Sequence, residues 1–156
     1  MGCMTDNGGK KNCPHCGFDE SFSTSPLSLP LRTQLNKKYV VGRVLGKPGG
    51  FGVTYLGLDI ILDTQVAIKE FLPRELATRS RDAVTITPYS HDDCDMFAFG
   101  LTQFLQEARI LARFDHPNIV KVKDFFEANH TAYLVMEYYE GVSLDQYLES
   151  WGGTLS

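Results

Sequence analysis

The stretch LGKPGGFGVTY, residues 45–55, places four glycines within seven positions: Gly46, Gly49, Gly50 and Gly52. Without Cβ atoms a backbone can lie close to a phosphate and turn its N–H groups towards the oxygens. Pro48 stands among these glycines and removes one N–H. A second pair of chemical residues follows. Lys69 ends VAIK, and Glu107 lies in FLQEARIL. A lone lysine beneath a phosphate loop is mobile. A carboxylate beside it fixes the ammonium where phosphate oxygens arrive. A third signal is CPHCG, residues 13–17, with Cys3 upstream.

The glycine stretch falls between two strand-like segments, and this decides its type. A helix-opening phosphate loop needs G-x-x-x-x-G-K-[ST], but the Gly46–Lys47 pair is followed by Pro48. A dinucleotide fingerprint also needs a helix after its glycines, whereas VTYLGL alternates as a strand does. A glycine-rich hairpin is what remains. Its phosphate-facing donors are expected to be the N–H groups of Gly50, Phe51 and Gly52. Pro48 is expected on the ascending side, where it fixes φ and stiffens the entry to the loop. Further on, YLVMEYYEG sets an apolar strand end before a polar segment and Gly141. Such an extended segment can offer backbone C=O and N–H to a purine edge.

The cysteines read separately. A C-x-x-C hook followed by glycine has the form of a zinc knuckle, and a structural zinc site wants four ligands. Cys3, Cys13 and Cys16 supply three. His91 or Cys94 from later in the chain, or a second copy, could supply the fourth, while His15 sits awkwardly inside the hook. The competing reading is a tail of reducible thiols. Gly2 follows Met1, but the hydroxyl residue wanted at position six is Asp6, so N-myristoylation is not expected.

The elements that must position these groups are legible as patterns. KYVVGRVLG, GVTYLGLDI and TQVAIKEF read as three consecutive strands with short connections, hence an antiparallel meander. PRELATRSR opens as a short helical turn, and AVTITP is strand-like. DDCDMFAFGLTQFLQEARILARF is helical, with Asp92, Asp93 and Asp95 near its start. Phe97, Leu101, Phe104, Leu105, Ala108, Leu111 and Ala112 form its apolar stripe. Gly100 inside that helix implies a close packing contact. Pro117 in DHPN is expected to end the helix. IVKVKDFFEA and TAYLVMEYY read as two more strands joined at Asn129–His130, and SLDQYLESW as a short helix capped by Ser143. The fold class expected is α+β: a five-stranded antiparallel sheet packed on one long helix. Residues 1–36 are expected to be a Cys-containing tail and linker, with SFSTSPLSLPLRT extended. Residues 37–142 are expected to form the lobe, and residues 143–156 a following helix.

Composition narrows the partners. Of the 156 residues, 43% are hydrophobic and 22% charged, with a formal net charge of −4 and no basic stripe, so nucleic acid is not the expected partner. No apolar run is long enough to span a membrane, and the N-terminus has no apolar signal core. A cytoplasmic location is expected.

In this order the glycine hairpin, VAIK, the helix glutamate, HPNIV and LVMEY make the chain resemble the N-terminal lobe of a eukaryotic-type protein kinase, most similar to bacterial serine/threonine kinases. The resemblance covers residues 36–156. It implies that Gly46, Gly49 and Gly52 are loop glycines, with Phe51 the aromatic tip. Leu45, Thr54 and Ala67 would wall an adenine pocket. Lys69 would meet the α- and β-phosphates of ATP, held by Glu107. Met136 would be the gatekeeper, Glu137 and Tyr139 would offer their backbones to adenine, and Ser143 would lie near the ribose. ATP with Mg²⁺ and protein hydroxyl substrates are the implied partners. Three departures stand out. The loop carries one extra residue. Lys69 and Glu107 are 38 positions apart, which makes residues 74–92 an insert. No H-R-D, D-F-G or A-P-E occurs, so this chain alone is not expected to transfer phosphate, and it reads as a fragment cut at a lobe boundary. The alternative is a non-catalytic, pseudokinase-like or zinc-tail interaction module. Self-association through an exposed lobe face is a further expectation.

Overall fold

A computed structural model describes residues 1–21, 25–47 and 49–152. Its elements are β1 (Gln34–Leu35), β2 (Tyr39–Val44), β3 (Gly52–Asp59), β4 (Thr64–Phe71), β5 (Ala77–Arg79), β6 (Ile86–Pro88), α1 (His91–Leu111), β7 (Val122–Ala128), β8 (Thr131–Glu137) and α2 (Leu144–Ser150). The main sheet has six strands in the order β1-β2-β3-β4-β8-β7, with every pairing antiparallel. The five expected strands are all there. The sixth, β1, has two residues, too short for any alternation to announce it.

The sheet has two covered faces. Alternation along β3, β4 and β8 puts Thr54, Leu56, Ala67, Lys69, Leu134 and Met136 on one side, as the registers Thr54↔Lys69, Leu56↔Ala67, Ala67↔Met136 and Lys69↔Leu134 require. Helix α1 packs on this side. Phe71 meets Phe97 and Phe104 at ring-centroid distances of 5.3 and 5.5 Å. A Cβ built on Gly100 would stand 2.9 Å from Phe71 Cζ, which is the close contact the sequence implied. Of the expected stripe, Phe97, Phe104 and Ala108 are buried, Leu101, Leu105 and Leu111 are half-buried and Ala112 is exposed. The helix begins at a Ser90 N-cap, whose hydroxyl accepts from the Asp93 N–H, and stops at Leu111, earlier than Pro117 alone suggests.

The opposite face carries Tyr39, Val41, Val53, Tyr55, Val66, Ile68, Tyr133 and Val135, all buried. The segment expected to be an extended linker covers part of it. Residues 25–33 form turns, with Ser28 N–H donating to Ser25 O and Thr33 N–H to Pro30 O, and Leu29 is buried. The physical reason is the apolar spacing of Leu27 and Leu29, which fill the sheet's outer face rather than follow a secondary-structure period. The insert covers the rest. Pro73 starts a turn, as expected, and β5 and β6 then pair as a separate two-stranded sheet. The Ile86 N–H donates to the Asn129 carbonyl, so the insert is also tied to the β7–β8 turn.

A buried polar cluster bolts these layers together. Glu70 is fully buried and forms an ion pair with Arg79 of β5. Arg79 also donates from Nε and Nη2 to Leu27 O (3.0 and 2.6 Å) and from Nη1 to Val84 O (2.9 Å). The Tyr55 and Tyr133 hydroxyls donate to Glu70 at 3.0 and 2.8 Å. Burial, then the Glu70 charge, pushes both phenols well above their ordinary range. Every charge in the cluster is thereby answered, as a buried ion requires.

Candidate functional site

The glycine hairpin connects β2 to β3. It is closed by Leu45 N–H donating to Thr54 O at 2.7 Å. Gly46 has φ +65°, a left-handed conformation that favours glycine. Gly52 is demanded for another reason: a Cβ there would lie 2.2 Å from the Glu70 carbonyl oxygen across the strand pair. Gly49 and Gly50 face open space. The descending limb is anchored to the start of the insert, with Leu72 N–H donating to Phe51 O and Arg74 N–H to Gly50 O. Pro48 lies outside the described residues, so its expected place on the ascending limb does too.

Beneath the hairpin, Lys69 is half-buried on β4, opposite Thr54. Lys69, Phe51, Phe71, Gly100, Phe104 and Glu107 line one cavity of about 390 Å³ between the hairpin, β4 and α1. Lys69 and Glu107 therefore converge, but no ion pair joins them. Lys69 Nζ lies 6.0 Å from the Phe104 ring centroid instead. The reason is the helix's seating. Phe97, Phe104 and Ala108 are the residues α1 buries, which leaves Glu107 exposed. A hydrated carboxylate gains little by pairing across a surface.

The same face continues to the end of β8. Ala67 is buried beside the half-buried Met136. Thr54 and Leu45 are also half-buried. The Glu137 N–H donates to Lys121 O at 2.9 Å, which ties the strand end to the chain before β7. The Tyr139 hydroxyl donates to Glu137 Oε2 at 2.6 Å, and Tyr139 itself is exposed. Ser143 caps α2 in a capping box with Gln146. Leu144, Tyr147 and Trp151 leave a largely exposed apolar surface on and after α2. Phe114 is exposed, whereas Phe97 and Phe104 are core.

The three early cysteines also come together. The sulfur atoms of Cys3, Cys13 and Cys16 lie within 4.8 Å of one another, while Cys94 stands exposed on α1 outside that group. Hydrogen bonding to Thr5 lowers the Cys3 thiol to about 6. Against a Phe18 N–H that favours the thiolate, burial and the neighbouring thiols push Cys16 up. Among the described residues no helix is long and apolar enough to cross a membrane.

Two residues of the buried cluster behind this site escaped the sequence. Glu70, one residue past Lys69, carries no motif, and its only signal is a charge inside the apolar run of β4. Arg79 lies in a segment whose pairing is not periodic.

The protein kinase domain family model matches residues 39–155. The chain is 34% identical over 119 residues to serine/threonine-protein kinase PrkC of Bacillus subtilis, covering 76% of this chain and 15% of the relative. It is 32% identical over 144 residues to serine/threonine-protein kinase B of Synechocystis sp., covering 90% of this chain and 22% of the relative. A solved structure described as the apo form of PpkA-294 superposes with a TM-score of 0.74 at 37% identity, over 79% of this chain and 43% of the other. The chain thus spans less than a quarter of these two curated relatives.

Proposed function

The chain belongs to the protein kinase family, and on that premise we propose that it is the ATP-binding lobe of a serine/threonine kinase. The observation that carries this reading is the shared face: Thr54, Ala67, Lys69 and Met136 lie on one side of the sheet, and Lys69 lines a cavity with Phe51 of the hairpin. The hairpin N–H groups of Gly50, Phe51 and Gly52 would cradle phosphate. Leu45, Thr54 and Ala67 would press on adenine, with Met136 at the back of the pocket and the Glu137 and Tyr139 backbones along the purine edge. Ser143 would lie by the ribose. Lys69 would hold the α- and β-phosphates, and Glu107 would swing from solvent to fix Lys69 when α1 shifts towards β4. Mg²⁺, when bound with ATP, neutralises phosphate charge.

The transfer of the γ-phosphoryl group to a protein hydroxyl belongs, in this reading, to a longer cytoplasmic protein that supplies the catalytic aspartate and Mg²⁺-holding groups. This chain by itself is proposed to be inactive. The exposed apolar surface at Leu144, Tyr147 and Trp151 suits a face covered by a second lobe or by another copy. The open Lys69–Glu107 pair favours one competing reading, a non-catalytic interaction module. H-R-D and D-F-G downstream in the parent sequence would decide against it.

Two measurements test the proposal. Lys69→Met in the full-length protein should abolish phosphoryl transfer to protein substrates and leave the melting temperature unchanged. Retained transfer would overturn the assignment of Lys69. In the 156-residue chain, ATP–Mg²⁺ should give no measurable rise in melting temperature. A rise that disappears in Lys69→Met would show that the lone lobe binds nucleotide.

A further inference from the structure

The N-terminal segment uses its cysteines in a way the kinase reading does not need. We propose that Cys3, Cys13 and Cys16 bind one Zn²⁺, and that the loaded knuckle clamps the N-terminal segment onto the sheet beside the strand end at Glu137. This inference does not rest on the nucleotide assignment.

The backbone around the hook is already folded as a metal knuckle requires. Cys13 N–H donates to Phe18 O and Gly17 N–H donates to Cys13 O, both at 2.8 Å. Gly17 has φ +73°, the left-handed conformation at the turn after Cys16 that returns the chain to Cys13 through Phe18. Asn12 and Asp19 bridge as an antiparallel pair at the base. Cys3 arrives from the other side. Its approach depends on Gly2, where a Cβ would meet Phe18 Cβ at 2.2 Å and Cys16 Sγ at 2.7 Å. A residue with a side chain at position 2 would push Cys3 away from the hook.

The sulfur spacing suits zinc. Tetrahedral thiolates at ~2.3 Å from zinc stand about 3.8 Å apart. Cys3 Sγ and Cys13 Sγ are 3.6 Å apart, and all three sulfurs fit within 4.8 Å, so closure on an ion needs only shifts of about 1 Å or less. No disulfide links them. Three thiolates are a soft donor set that selects zinc over magnesium or calcium. Cys13 is buried, whereas Cys3 and Cys16 open onto a cavity of about 400 Å³. Among the described residues no further cysteine, histidine or carboxylate joins the three, so the fourth position of the tetrahedron opens on that cavity.

The same cavity is lined by Arg43, Leu56, Gln65 and Tyr138. The knuckle is seated on them. Gln65 Nε2 donates to Cys3 O at 2.6 Å and Arg43 Nε donates to Gly2 O at 2.7 Å. Met4 is buried against Gly42, where a Cβ would stand 2.4 Å from its sulfur. Leu56 shares the face of Ala67 and Lys69, and Tyr138 follows β8 directly. A metal at the cysteines would thus fix residues 1–20 against β2, β3 and β4 at the far end of that face. Binding only to the folded form, it would add to the stability of the whole lobe.

Metal analysis of the reductant-treated full chain tests this. One equivalent of zinc is expected, with Cys94→Ser unchanged as a control. Cys16→Ser, at an exposed position that tolerates substitution, should reduce zinc at least tenfold. Cobalt substitution should give a thiolate-to-metal charge-transfer band in wild type that Cys16→Ser lacks. A chelator should lower the melting temperature of wild type and leave Cys16→Ser where it is. Less than about a tenth of an equivalent of zinc in folded protein, or equal zinc in Cys16→Ser, overturns the proposal.

Discussion

Glu70 and Arg79 form a buried ion pair that joins the central strand β4 to the insert hairpin. Strand alternation makes Glu70 the back-side neighbour of Lys69, so the residue that anchors the insert is adjacent to the one that faces the cavity. The carboxylate has Tyr55 and Tyr133 as further donors, and the guanidinium has the Leu27 and Val84 carbonyls.

Removing one partner of this pair should therefore destabilise the lobe strongly. Arg79→Met leaves the Glu70 charge buried without a counter-charge and should cost about 3 kcal/mol or more. The double variant Glu70→Gln with Arg79→Met removes both charges and should recover a large part of that loss. Urea unfolding of the two variants measures the difference. Equal stabilities would show that the buried Glu70 charge carries no penalty once Arg79 is gone.

The glycines of the hairpin should divide by geometry. Gly52→Ala drives a Cβ into the Glu70 carbonyl of the paired strand and should cost about 1–3 kcal/mol. Gly50→Ala enters open space at an ordinary φ and should change stability by less than about 0.5 kcal/mol. Thermal unfolding separates these outcomes. A Gly52→Ala variant as stable as wild type would mean that β3 and β4 can separate there without cost.

Asp59, at the end of β3, should make stability fall on acidification. It is buried and accepts from the Ile61 and Leu62 N–H groups at 3.0 and 3.1 Å, with Lys38 Nζ at 3.3 Å. Burial alone would raise its pKa, but those donors and Lys38 hold it below the ordinary carboxylate range. Its contribution is full above the unfolded-state value, about pH 4, and is lost as pH falls through the lower folded value. Asp59→Ala should melt below wild type at neutral pH, and the gap should narrow under acid. A gap that is constant with pH would show that the charge has no part in it.

Much of the site was written in local pattern. Strand alternation identified the segments that carry Thr54, Ala67 and Lys69, and the position of the glycines between two strands identified a hairpin rather than a helix-opening loop. Gly100 announced its contact with Phe71, because a glycine inside a strong helix implies close approach. Less legible were the segments without period. Leu27 and Leu29 pack on the sheet from a stretch of turns, and β1 is too short to alternate.

By itself, then, the sequence determined the order and type of the main elements, because helix and strand periods are properties of neighbouring residues. Tertiary structure decided the rest. It set Glu107 outside an ion pair with Lys69, paired Glu70 with Arg79, and brought Cys3 to Cys13 and Cys16. These depend on how separate segments seat against one another. The bulk of Phe97 and Phe104, the lack of a side chain at Gly2 and the need of a buried carboxylate for a partner govern that seating, and no spacing along the chain records it.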